Sequence, residues 1–205
     1  MPPTRAVQQL ILIVIMALVS ACATSTAGRT SVIKTLHNVE DTDPFSNVLV
    51  VSAAGERSSR ASFEHEMAAA MTTEATVATA FFAVAGRHSP ISRNVLDNAV
   101  RTREFDAILL VRMQGRGNEP AVVTYRPIGR HFDLYHDDHE GLNNLLGIDG
   151  ASTISFVAEF YDTGSAEKIW AIESLVFEPE SVAAGVSQQV AVITAELRKD
   201  RLVGH

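Results

Sequence analysis

The chain has 205 residues, 17 Lys and Arg against 24 Asp and Glu, a formal net charge of −7, and a single cysteine. That length suits one domain with a sizeable core. The acidic balance, with no basic patch, argues against nucleic acid and against charge-driven binding to anionic lipid headgroups. One thiol excludes an internal disulfide, and it excludes a metal site built from several cysteines.

In chain order, the first element is a leader. Residues 1–21 read MPPTRAVQQLILIVIMALVSA: one basic side chain, Arg5, an apolar run from Leu10 to Val19, then the small residues Ser20 and Ala21. This is the order of a secretory signal. The run is about half the roughly 20 residues that a membrane-spanning helix needs. A lone Cys22 taken by itself is open to four readings: nucleophile, intermolecular disulfide, small buried residue or attachment point. Val19-Ser20-Ala21-Cys22 resembles the lipobox of bacterial lipoproteins, which implies cleavage between Ala21 and Cys22 and lipid on Cys22. Each buried methylene adds about 0.8 kcal/mol of membrane affinity and a single chain holds only marginally, so a multiply acylated cysteine makes a stable anchor. Ala23, rather than Asp, after the cysteine implies the outer membrane under the enteric sorting rule. Removing the 21 leader residues leaves 184, with 16 basic and 24 acidic side chains.

Residues 22–45 are mixed and polar and read as a tether, with a single α/β domain over 46–205. NVLVVSAAG (47–55) is a continuous apolar run suited to a strand buried on both faces. In the next segment Phe63, Met67 and Met71 recur at intervals of four, a helical stripe, with Ser58 or Ser59 as cap candidates. TVATAFFAVAG (76–86) reads as a second strand, and SPISRNVLDNAVRTRE as a helix started by Pro90 and Ser92, with Val95, Leu96, Ala99 and Val100 on its inner face. FDAILLVRM (105–113) is a third strand. The order defines a βαβαβ unit with right-handed crossovers.

Beyond it, PAVVTYRPI (120–128) reads as a strand, followed by a long polar insertion. STISFVAEFYD and KIWAIESLVFEP pair as an antiparallel hairpin across TGSAE, with Ile154, Phe156, Ala158 and Phe160 on one face. Val182, Val186, Val190, Ile193 and Leu197 mark a last helix, with Arg198 and Lys199 at its dipole-favoured end. The expected fold is therefore a single mixed sheet with packed helices: a βαβαβ unit extended by the hairpin and a C-terminal helix.

Three pieces carry a resemblance: VLVVSA leading to a helix opened by Arg60, Phe63 and Glu64; Asp106-Ala107 entering the third strand; and Tyr161-Asp162, Gly164 and Trp170 around the hairpin. Together they resemble a group of uncharacterised bacterial envelope lipoproteins, whose α/β body is similar to the amino-terminal domain of TolB and to the curli-secretion lipoprotein family. The likeness spans residues 46–203. Its motifs are structural, and the hairpin departs from the pattern because Ser165, Ala166 and Glu167 intervene before Lys168. The resemblance implies no catalytic residue and no cofactor. It implies an accessory role in envelope assembly or transport, through an envelope protein partner, at the periplasmic face of the membrane.

Three stretches are weighed for chemistry. RHFDLYHDDHE offers His131, His136 and His139 with Asp133, Asp137, Asp138 and Glu140 as nitrogen and oxygen ligands, yet it matches no defined metal motif. It reads as a solvated acidic loop, with a ligand- or metal-binding module as the alternative function. Glu64, His65 and Glu66 read as a solvated helix face, because consecutive helical residues diverge by about 100°. GRGNEP (115–120) lacks the Lys-Ser/Thr of a phosphate loop, and no nucleophile–base constellation supports a hydrolase.

Overall fold

The structure, a computed structural model, describes residues 29–39, 43–53, 57–114, 153–177 and 181–205. Along the chain run β1 (Arg29–His37), β2 (Asn47–Ser52), α1 (Arg57–Met71), β3 (Val77–Ala80), α2 (Phe81–Ala85), α3 (Arg93–Arg103), β4 (Ala107–Gln114), β5 (Thr153–Asp162), β6 (Glu167–Phe177) and α4 (Val182–Lys199). The strands form one mixed sheet in the order β1-β6-β5-β4-β2-β3. The expected α/β architecture is the observed one.

β2 is parallel to both β3 and β4, while β4, β5, β6 and β1 follow one another antiparallel. The central strand explains the continuous apolar run. Val48 and Val50 face the core under α1 and α4, and Leu49 and Val51 face the core under α2 and α3; all four are fully buried. A strand covered by helices on both faces has no reason to alternate. The helical stripe Phe63, Met67 and Met71 seats α1 on the first face, beside Val190, Ile193 and Leu197 of α4. Leu96 and Ala99 of α3 are buried against the second face, with Val95 and Val100 packed beside them. Phe156, Ala158 and Phe160 share the first face, as the hairpin alternation requires.

Four expectations need correction. Residues 29–37, assigned to the tether, form an edge strand paired with β6 from Arg29↔Phe177 to His37↔Trp170, so the sheet includes a segment that lies ahead of the expected domain boundary at 46. The run 76–86 is a strand only as far as Ala80 and then turns into α2, whose first turn donates Phe82 N–H to the Glu64 carboxylate at 2.9 Å. That contact replaces the cap that Ala80 cannot supply. α1 begins at Arg57, ahead of Ser58 and Ser59, so neither serine precedes the helix as a cap. Glu64 lies in the core and not on a solvated face, whereas His65 beside it is exposed.

The ends of the sheet are set by polar ties. At the amino end of β2, the Asp106 carboxylate accepts from Ser46 N and Oγ, each at 2.8 Å, and from Asn47 N at 3.0 Å. Thr163 donates its N–H to Asp106 O and its hydroxyl to Phe105 O, and Gly164 N–H donates to Asp162 Oδ1 at 2.7 Å. This is an Asx turn. Ala166, with φ 61°, completes the four-residue turn in the left-handed region. Of the intervening residues noted in the sequence, Ser165 and Ala166 lie in that turn, and Glu167 opens β6 opposite Asp162. Nearby, Gly204 passes so close to Thr73 that a Cβ there would meet its Oγ1 at 2.5 Å. The C-terminal residues are thereby locked under the same end.

Candidate functional site

β2 lies between β3 and β4, and its two parallel neighbours are reached through helices on opposite faces. That is a topological switch point, the place where open α/β sheets form a crevice at the carboxyl ends of their strands. The side chains that converge there are Arg60 and Glu64, one helical turn apart on α1.

Glu64 is fully buried, and its two oxygens accept from Ser52 N at 3.1 Å and Phe82 N at 2.9 Å. It thereby joins β2, α1 and α2. Arg60 lies 3.8 Å from it through Nε, donates Nη2 to the carbonyls of Arg87 and Ser89 at 3.2 Å each, and stands over the Phe81 ring. Burial drives the Glu64 carboxyl above its ordinary value; the two backbone N–H bonds and the Arg60 charge offset only part of that. The loop 86–92 is held in place by these Arg60 bonds and by Ser89 Oγ donating to Ala85 O. Glu64 is fully buried, and the pair braces the crevice.

A second polar group lies on the sheet face opposite the Phe156, Ala158 and Phe160 side. Glu159, almost fully buried, accepts from Arg112 Nη2 at 3.0 Å, Lys168 Nζ at 2.8 Å and Tyr161 Oη at 3.3 Å. Ser155 donates to Glu173 on the same face at 3.2 Å. Two cations and a phenol around one carboxylate neutralise a charge that burial would otherwise penalise. At the far end of the sheet, Asp200 accepts from Trp170 Nε1 at 2.7 Å and from Lys34 Nζ, with His37 Nδ1 at 3.6 Å. Burial alone would raise its pKa, but the Lys34 and Trp170 bonds and the Lys34 and His37 charges outweigh that and hold the carboxyl below its ordinary value.

Of the residues marked from sequence, Ala21, Cys22, His131, His136, Asp137 and His139 lie outside the described residues. So do the expected strand at 120–128 and the GRGNEP stretch. Among the described residues no three His, Cys, Asp or Glu side chains gather as a metal site, and no helix is long and apolar enough to cross a membrane. The groups that sequence reading missed are Glu64, Glu159 and Asp200. Arg60 and Glu64 carried a signal in their i,i+4 spacing. Glu159 carried one in sitting between Ala158 and Phe160 on the opposite alternation. Asp200, past the last helix, carried none.

No family model matches the chain, and no curated protein matches it. Among solved structures, a single-substitution variant of the PelC dodecamer from Paraburkholderia phytofirmans is 10% identical with a TM-score of 0.48, over 82% of this chain and 98% of that one. The PelC dodecamer from the same organism in another crystal form is 11% identical with a TM-score of 0.47, over 86% of this chain and 100% of that one. Likeness at this level says nothing of partners or activity.

Proposed function

We propose that the protein is a lipid-anchored bacterial envelope protein, facing the periplasm from the outer membrane, whose α/β domain serves protein contact in an assembly or transport process rather than catalysis. The observation that carries this reading is the order of the first 22 residues: a basic start, an apolar run too short to span a bilayer, two small residues and then the only cysteine of the chain. The described domain supports it from another direction. Among the described residues, the buried carboxylates Glu64 and Glu159 and the half-buried Asp200 are engaged in internal ties: Glu64 with three elements, Glu159 with three side chains, Asp200 with β1 and β6.

Growth with a labelled fatty acid tests the anchor. The expected result is label on the wild-type chain, none on Cys22→Ser, and release of the variant from the membrane fraction. Unlabelled wild-type protein would sink the reading. Crosslinking in intact cells tests the contact role. Partner adducts are expected, and recovery as a lone monomer at every crosslinker level counts against it.

A further inference from the structure

We infer that β1 pairs with β1 of a second copy of the chain, antiparallel and symmetric about Val32, so that two sheets join into one. This gives the contact role proposed above a partner, and it does not depend on lipidation of Cys22.

The two edges of the sheet differ. β3, at one edge, has four residues and turns at once into α2. Shortness is a common protection for an edge strand. β1, at the other edge, has nine residues and is bonded only to β6 among the described residues. Thr30 to Thr35 are all exposed, on both faces, which leaves the approach to the outer edge open. Val32 is 37% and Ile33 50% exposed, and strand alternation places them on opposite faces. A lysine on an edge strand ordinarily guards it by its charge. Here Lys34 is drawn back onto its own domain, its Nζ bonded to Asp200 and 4.0 Å from Glu196.

The phase of the ladders shows which backbone groups point outwards. Val111 O accepts from Ala53 N on the β2 side, and Asp106 O accepts from Thr163 N. Ile108, Leu110 and Arg112 therefore bond across to Tyr161, Glu159 and Val157 of β5. In an antiparallel ladder successive residues bond to opposite sides. Phe156, Ala158 and Phe160 thus bond to Ser174, Ile172 and Trp170 of β6, which leaves Ala171, Glu173 and Leu175 to bond to β1. Their partners Leu36, Ile33 and Ser31 point inwards, and Thr30, Val32 and Lys34 point outwards. The Thr35 hydroxyl, which donates to Ala171 O at 3.2 Å, agrees with this phase.

The outward set is symmetric about Val32. Under a two-fold axis through that residue, Val32 meets the second copy's Val32 and Thr30 meets the second copy's Lys34, each pair exchanging both N–H···O bonds. A surface that is its own complement is the requirement for an isologous contact. The two valines pack directly opposite one another on one face, and on the other each Ile33 lies opposite the second copy's Ser31. No like charges fall opposite in this register, whereas a register centred on Lys34 would set two lysines together. Past Lys34 the irregularity before Leu36 ends the regular edge. The five residues from Thr30 to Lys34 make a small interface, so the dimer belongs to the weak, concentration-dependent class.

Sedimentation of the full-length protein in detergent, up to about 1 mM, tests the pairing. A reversible dimer is expected. Val32→Pro removes an outward N–H and leaves the ladder to β6 whole; it is expected to be monomeric, with a urea transition of Trp170 fluorescence close to that of wild type. Val32→Lys and Val32→Glu each set like charges opposite, so each is expected to be monomeric alone and the two to form a mixed dimer when combined. This charge pair decides the matter even if Val32→Pro does not fold. A wild-type monomer throughout the series overturns the inference, as does the lack of a mixed dimer. A dimer that survives Val32→Lys also overturns it, because the contact then lies on another surface. The mass of the amino-terminal peptide is read on the same material. A monomer with an acylated Cys22 defeats the pairing alone, whereas a dimer with an unmodified Cys22 defeats only the anchor.

Discussion

Glu64 shows how far a single residue can depart from its local reading. Beside His65 and Glu66 it has the look of a solvated helix, yet it is the acceptor for two backbone donors from different elements. Glu64→Ala leaves those N–H groups and the Arg60 guanidinium without it and is expected to lower stability by about 3–5 kcal/mol in urea unfolding. Glu64→Gln, which keeps the shape but turns an NH2 towards one donor, should lower it by about 1–3 kcal/mol. The pH dependence has a definite sign. The folded carboxyl is raised above its unfolded value, so its contribution is full below the ordinary glutamate range and is lost as pH rises through the folded value. The gap between wild type and Glu64→Gln should therefore be wider at pH 4 than at pH 7; a constant gap would refute the assignment.

At the scale of elements, β1 and β3 were the least legible. β1 is an edge strand bonded on one side only, and its Thr, Ser and Lys residues carry no pattern that separates a strand from a tether. Its place is decided by β6 and by Asp200, which receives Lys34 and His37 from β1 and Trp170 from β6. Asp200→Asn is expected to destabilise the domain by about 1–3 kcal/mol near neutrality. The sign here is opposite to that of Glu64. The folded carboxyl lies below its unfolded value, so the contribution is present above the ordinary aspartate range and is lost as pH falls through the folded value. Stability of Asp200→Asn should converge on wild type in acid, and hydrogen exchange should quicken first in residues 29–37. Unchanged protection of β1 would show that the ladder alone holds it. β3 ends early for a comparable reason: Ala80-Phe81-Phe82 is apolar enough for a strand, but a carboxylate from α1 caps the turn into α2.

For the whole molecule, two helical layers share one sheet, and β2 and β4 contribute side chains to both cores. Separate unfolding of either layer would expose strands that the other still needs. A single transition is expected, with far-ultraviolet circular dichroism and Trp170 fluorescence coinciding across urea; two resolved transitions would contradict a single cooperative body. Trp170 is a fitting reporter because it is fully buried and bonded to Asp200.

By itself the sequence determined the strands and helices whose burial is strong and periodic: β2, β4, the β5–β6 hairpin and the inner faces of α1, α3 and α4. Hydrophobic pattern is a local property, and the α/β class follows from the order in which those patterns occur. The proposed leader and the proposed role of Cys22 rest on signals that are equally local, written in consecutive residues. Only the tertiary structure decided that residues 29–37 close the sheet, that Glu64 belongs inside, and that Asp200 gathers β1, β6 and α4. Each of these depends on a partner from 12 to 166 positions away. Hydrogen-bond partners at such separations leave no periodic trace along the chain.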